Sequence, residues 1–245
     1  MNAAGNPGLR AAVFGASGGI GAALVEALCA SGQYGAVYAG GRRIGQELPA
    51  GVQGFAFDLT QEASIADAAG LIGGPLDLVI VASGVLQDGQ AGIAPEKAMR
   101  AIDGAAMAKV FAINTIGPAL IAKHMVPLLP RDRRCVFAAL SARVGSIGDN
   151  RLGGWHAYRA SKAALNMLVA NFAIELARSH PQAVAVTLHP GTVATPLSEP
   201  FQRGVPHSQL FSPHASASHL LGVISGLTAG DSGGFFAWDG ARLPY

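Results

Sequence analysis

The feature that most constrains this chain is a glycine-rich turn near its N-terminus. Leu9–Phe14 is a short apolar run, Gly15-Ala16-Ser17-Gly18-Gly19-Ile20-Gly21 follows, and Ile20, Leu24 and Leu28 then recur at helical spacing up to Gly32. A strand that passes this tightly into a helix begins a βαβ unit. Glycines permit the turn and a close backbone approach, and the helix start offers free N–H groups to an anion. A pyrophosphate is the natural guest, so Gly15, Ser17, Gly18, Gly19, Ile20 and Gly21 are candidate cofactor contacts. The spacing is Gly-x-x-x-Gly-x-Gly rather than Gly-x-Gly-x-x-Gly.

The alternation continues along the chain. Residues 35–39 read as a second strand, which ends in Gly40-Gly41-Arg42-Arg43 with no acid. An acid there would bond ribose hydroxyls, whereas an arginine accommodates a 2′-phosphate, so Arg42 favours NADP, with NAD the alternative. Residues 44–51 predict a loop or a single helical turn. Residues 52–57 form a third strand leading to Asp58-Leu59-Thr60, with Thr60 placed to cap a helix over 61–72. Asp58 and Leu59 stand where an adenine would lie; the alternative for Asp58 is local turn bonding. Residues 76–82, apolar apart from Asp77, predict a central parallel strand buried on both faces, running into Ser83-Gly84. A helical stretch begins at Ala94-Pro95 and loops near Gly104, and a long helix over 105–129 carries Asn114 on an apolar face. Cys135–Leu140 is the fifth strand, 141–154 a loop, 155–179 a helix and 184–188 the sixth strand. Residues 197–211 read as a flap over a substrate, with Phe201, Phe211 and His207 near it. Residues 215–227 are a last helix and 235–238 a last strand. The order predicts a single α/β domain of the Rossmann type: a doubly wound parallel sheet of about seven strands with helices on both faces. Ligands of such sheets bind beyond the C-terminal strand ends, where these features converge.

Composition narrows the function. Half of the 245 residues are hydrophobic and 13% are charged, which demands a large core. A net charge of +2 with scattered basic residues makes no case for nucleic acid. The two cysteines, Cys29 and Cys135, are far apart in apolar segments and read as buried hydrophobes of a reducing, cytoplasmic compartment. The apolar stretch 110–126 is broken by Asn114, Pro118, Lys123 and His124, which argues against a membrane span, and no metal-ligand pattern is present. Apolar faces on helices 105–129 and 155–179 predict a homodimer or homotetramer, unless both faces bury internally.

The chemistry centres on Tyr158 and Lys162, one helical turn apart on one face. A tyrosine near pKa ~10 is a poor acid–base group at neutral pH. An adjacent ammonium favours the phenolate, so the pair is a candidate proton-transfer unit.

Gly15-x-x-x-Gly19-Ile20-Gly21, Asp58, Asn114, Tyr158-x-x-x-Lys162 and Pro190-Gly191-x-Val193-x-Thr195 stand together in the order and spacing of the short-chain dehydrogenase/reductase family, which the chain resembles over nearly its whole length. Ser146-Ile147, Asp149-Asn150-Arg151, Gly153-Gly154-Trp155, Ala164-Leu165-Asn166-Met167 and Trp238-Asp239-Gly240 look like its C-factor-like branch, which includes small carbonyl reductases and proteins named for cell signalling. The resemblance implies hydride transfer between nicotinamide and a carbonyl or alcohol carbon. Tyr158 would be the general acid or base, and Lys162 would lower its pKa and bond the nicotinamide ribose. Asn114 would hold a relay water. Thr195 and the Val193 backbone would hold the carboxamide, Pro190-Gly191 would pass close to the nicotinamide, and Ser83 and Gly84 would line the cofactor. Two departures stand out. The family's Asn-Asn-Ala-Gly is Val81-Ala82-Ser83-Gly84 here, and its catalytic serine aligns with Ala142. Ser141, then Ser146, are the replacements, or no serine serves. The competing reading is a nucleotide-binding regulator with weak or vestigial chemistry.

Overall fold

In a computed structural model, the structure describes residues 8–43, 48–202, 206 and 209–245. Seven strands form one parallel sheet: β1 (Leu9–Phe14), β2 (Tyr34–Gly41), β3 (Val52–Ala56), β4 (Leu78–Val81), β5 (Cys135–Leu140), β6 (Ala183–His189) and β9 (Phe235–Ala237). Their order is β3-β2-β1-β4-β5-β6-β9. All six pairings are parallel, so every strand ends on the same edge. The chain reverses its winding between β1 and β4, and that point opens the crevice in which such sheets bind ligands.

Alternation along each strand feeds two cores. On one face Phe14, Val79, Val81 and Phe137 meet α2 (Glu62–Ile72), α4 (Gly117–Met125) and α5 (His156–Ser179) through Ile65, Ile121, Met125, Leu165 and Val169. On the other, Val13, Ile80, Val136 and Val186 meet α1 (Gly19–Ala30) and α6 (Pro213–Gly226) through Leu24, Leu28, Leu220 and Ile224. Asp77 stands just before β4 and stays out of the apolar run: its carboxylate accepts from the Arg10 N–H at 2.9 Å and the Arg133 Nε at 2.8 Å. Cys29 and Cys135 are free thiols; Cys135 is buried, and burial pushes its thiol up to about 11.

Several predicted elements differ in detail. The helix over 105–129 is four pieces: α3 (Gly104–Phe111), a π-helical segment Ala112–Ile116, α4 and a 3₁₀ turn Val126–Leu128. By length and composition Gly104–Leu128 could cross a membrane. In the fold it is the crossover from β4 to β5, with Val110, Ile121, Ala122 and Met125 buried. The stretch after Ala94-Pro95 contains a 3₁₀ turn, Met99–Ala101, rather than a helix. Thr60 does not cap α2, whose N-cap residue is Gln61 and makes no side-chain cap. Thr60 instead donates its N–H and hydroxyl to Asp58 Oδ1 at 2.8 and 2.7 Å, because the aspartate two residues earlier closes the turn first. Within 197–211 the chain makes a 3₁₀ turn, Glu199–Phe201, and a strand, β8 (Leu210–Phe211), paired with β7 (Thr192–Val193). His207 and residues 44–47 lie outside the described residues.

Candidate active site

The glycine turn forms the floor of the crevice. Gly15 adopts φ +96, and a Cβ there would stand 2.7 Å from the Ser83 hydroxyl; a Cβ on Gly21 would stand 2.1 Å from the Gly15 carbonyl. Only glycine lets β1, β4 and α1 meet this closely. Gly18 is the N-cap residue of α1, and no side chain caps the helix, so its first amides are not taken by a side-chain acceptor. A cavity of about 630 Å³ opens above them. It is lined by Gly15, Ser17, Gly18, Gly19, Ile20, Gly21, Gly41, Arg42, Asp58, Leu59, Ser83, Gly84, Val85 and Thr195, among others. This set fits a dinucleotide: an uncapped helix start for the diphosphate, one arginine at the end of β2, and apolar Leu59 and Ile113 along the wall. Arg42, together with the Thr60 donors that contribute most, holds the Asp58 carboxyl below its usual range. Asp58 therefore closes its local turn and faces the cavity as well. Among the described residues, no group of three His, Cys, Asp or Glu is placed to hold a metal.

Tyr158 and Lys162 come from the first turns of α5. Lys162 is 3% exposed, donates from Nζ to the Leu140 carbonyl at 2.8 Å, and has that nitrogen 5.9 Å from the centre of the Tyr158 ring. Burial dominates both groups. It pushes Tyr158 up to about 12 and Lys162 down to about 8. The expected lowering of Tyr158 by the ammonium is not seen: burial raises it instead, and the hydroxyl holds its proton at neutral pH.

Asn114 sits in the π-helical segment, fully buried. Its Oδ1 accepts from the Val85 N–H at 2.8 Å, and its Nδ2 donates to the Val85 carbonyl at 2.8 Å and to Ser161 Oγ at 3.1 Å. Ser161 Oγ in turn donates to the Tyr158 carbonyl at 2.8 Å. The amide thus clasps the chain after Gly84 to the helix of Tyr158 and Lys162. These contacts leave one Oδ1 lone pair for a water. A Cβ on Gly84 would lie 3.5 Å from both Asn114 Oδ1 and Lys162 Nζ, so the clasp and the lysine meet at the cavity wall.

The serine candidates separate. Ser141, just beyond β5, is buried and its hydroxyl has no partner among the described residues. Strand alternation puts it on the face of Phe137 and Ala139, which is the face of α5. Ser146 is buried too, but its Oγ already accepts from the Asp149 N–H at 3.1 Å. Ala142 is half-buried. Pro190 accepts at its carbonyl from Ser216 Oγ, Gly191 takes φ +79 beneath Phe211 and Trp238, and buried Val193 leads to Thr195 on the cavity wall.

Sequence reasoning missed Glu96. It is 7% exposed, and its carboxylate accepts from the Ala157 N–H at 3.2 Å, which supplies α5 with the acidic cap that its own N-cap residue, Trp155, cannot provide. No local pattern marks a cap delivered from 61 residues away.

The family described as short chain dehydrogenase matches residues 10–205. The chain is 37% identical over 173 residues to C-signal of Myxococcus xanthus, covering 70% of this chain and 94% of that protein. It is 38% identical over 133 residues to 1-hydroxy-2-glutathionyl-2-methyl-3-butene dehydrogenase of Rhodococcus sp. (strain AD45), covering 54% of this chain and 56% of that enzyme. Its structure is similar to that of an NADPH-bound carbonyl reductase from chicken fatty liver, with a TM-score of 0.82 at 25% identity over 98% of this chain and 96% of the other.

Proposed function

This chain belongs to the short-chain dehydrogenase family and is an NAD(P)-dependent oxidoreductase, and from that premise we propose that it reduces a carbonyl compound with NADPH, using Tyr158 as the proton donor. The observation that carries the reading is the pair of half-buried Tyr158 and buried Lys162, joined through Ser161 and Asn114 to the wall of the dinucleotide cavity. A pure binder has no use for that pair.

When bound, the cofactor supplies the hydride for reduction and receives one in oxidation. Gly15, Ser17, Gly18, Gly19, Ile20 and Gly21 take its diphosphate, Arg42 its 2′-phosphate, and Asp58, Leu59, Ser83 and Gly84 its adenine side. Pro190, Gly191, Val193 and Thr195 lie by the nicotinamide and its carboxamide. Tyr158 delivers its hydroxyl proton to the carbonyl oxygen, and the Lys162 ammonium stabilises the phenolate left behind. Asn114 keeps Gly84 and the helix of Tyr158 in register. Ser141, whose hydroxyl has no partner among the described residues, is the proposed donor to the substrate oxygen, with Ser146 behind it. NADP is preferred over NAD because Arg42 stands where an acid would select NAD. The free thiols Cys29 and Cys135 support a cytoplasmic location. Met167 and Ile174, 63% and 59% exposed on α5, support pairing of helices 105–129 and 155–179 between copies.

A panel of aldehydes and ketones with NADPH, followed by loss of cofactor absorbance, tests the activity. Tyr158→Phe should lose turnover by about 1,000-fold or more while cofactor binding stays intact. Retained turnover removes Tyr158 from the mechanism, and no turnover of any carbonyl by a protein that binds NADPH leaves a nucleotide-binding regulator as the reading.

A further inference from the structure

Trp155 is the one non-glycine residue with a left-handed backbone among the described residues, at φ 49 and ψ 44. It follows Gly153 and Gly154, at φ 63 and 66. The chain thus takes three successive positions that suit glycine and places a bulky aromatic at the third, against its conformational preference. Such strain persists where neighbours over-determine the backbone, and it gathers at ligand-contacting sites. The neighbours are present. The Trp155 N–H donates to the Glu96 carbonyl at 2.5 Å, and the Trp155 carbonyl accepts from the Arg159 N–H at 2.9 Å. Arg159 Nε donates to the Gly153 and Gly154 carbonyls, each at 3.1 Å.

The indole held in this way is not a core residue. It is half-buried, and among the described residues its ring pairs with two other aromatics. The Tyr158 ring lies 6.3 Å away, and the Phe201 ring, from the turn after Thr195 and Leu197, stands edge-on at 4.9 Å. Phe201 shows that the indole accepts an aromatic ring in the edge-to-face geometry that such pairs prefer. It does so one helical turn from the residue to which the proton step is assigned.

Resting on the carbonyl reductase reading, we propose that Trp155 and Phe201 form an aromatic platform beside Tyr158 that selects carbonyl compounds bearing an aryl group next to the reacting carbon. The aryl ring packs against the indole, with Phe201 as its neighbour, and this leaves the carbonyl oxygen toward the Tyr158 hydroxyl. Trp155 and Phe201 are then specificity-determining residues and take no part in proton transfer.

The test compares kcat/KM for a phenyl ketone and an alkyl ketone of matched length, with NADPH. Wild type should favour the phenyl ketone. Trp155→Gly, which suits the left-handed backbone, and Phe201→Ala should each lower the aryl-to-alkyl ratio by about tenfold or more, chiefly through KM, and Trp155→Phe should restore most of it. A ratio that stays constant in both variants, or a wild type that favours the alkyl ketone, overturns the platform. If Trp155→Gly does not fold, Phe201→Ala decides. If wild type turns over neither ketone, the wider carbonyl panel decides the reductase reading separately, and fluorescence decides the platform. The chain has two tryptophans, so Trp238→Phe leaves Trp155 as the reporter. Saturable quenching by the phenyl ketone and not the alkyl one in the NADP-loaded protein supports the platform, and no quenching overturns it.

Discussion

At the scale of the residue, burial rather than pairing decides the protonation states at the site. Tyr158 keeps its proton until about pH 12, and Lys162 loses its charge near pH 8. Reduction needs a protonated tyrosine and a charged lysine. The rate should therefore be level below about pH 8 and fall above it as Lys162 deprotonates, measured as kcat/KM from pH 6 to 10. The same burial costs stability. The folded pKa of Lys162 lies below its unfolded value of 10.5, so the unfolded chain binds more protons between pH 8 and 10.5 and stability rises across that window. Below it the full penalty applies, on the order of 3 kcal/mol. Lys162→Met should accordingly melt higher than wild type at pH 7 while losing turnover, and a lower melting temperature would show that the Leu140 contact outweighs desolvation. The spacing of Tyr158 and Lys162 was legible in the sequence because helical periodicity sets it. Their pKa values were not, since desolvation depends on what the fold stacks around them. Ser141 against Ala142 shows the same divide: a residue count names the position, but which hydroxyl is left without a partner is a property of packing.

At the scale of the element, the strands of the main sheet were readable to within about two residues and the glycine turn as it stands, because apolar runs and glycines report local backbone directly, whereas the short pair β7 and β8 was not read as strands. The crossover between β4 and β5 was not. Periodicity predicts one helix over 105–129, whereas the chain widens into the π-helical segment at Ala112–Ile116. Segments of this kind are rare and gather at functional sites. Here it carries Asn114, whose bonds to both the N–H and the carbonyl of Val85 are non-local. That clasp stands where the family's two asparagines are replaced by Val81 and Ala82, and it ties the same stretch of chain from the opposite side. Asn114→Ala leaves both Val85 groups and Ser161 Oγ short of a partner in a buried setting. It should lower stability by about 2–4 kcal/mol in denaturant melts and reduce kcat more than cofactor affinity. Unchanged stability would mean that water replaces the amide, and the clasp would then not be structural.

At the scale of the whole molecule, the parallel sheet assembles one ligand site from residues spread along the chain. Gly15, Arg42, Asp58, Gly84 and Thr195 come from five different strand ends or their loops and share one cavity. Because no two neighbouring elements complete it, the site exists only in the folded state, and a ligand that fills it stabilises the fold as a unit. A nicotinamide nucleotide at 100 times its Kd should add about 2.7 kcal/mol. That shift reads cofactor choice without any substrate. NADPH should raise Tm more than NADH at equal concentration, because Arg42 gains a 2′-phosphate partner and no acid at the end of β2 favours bare ribose hydroxyls. Arg42→Ala should remove most of the difference by weakening NADPH alone. Equal losses for both nucleotides would place Arg42 on the shared diphosphate or leave it a solvated side chain, and the preference for NADP would then lose its structural basis.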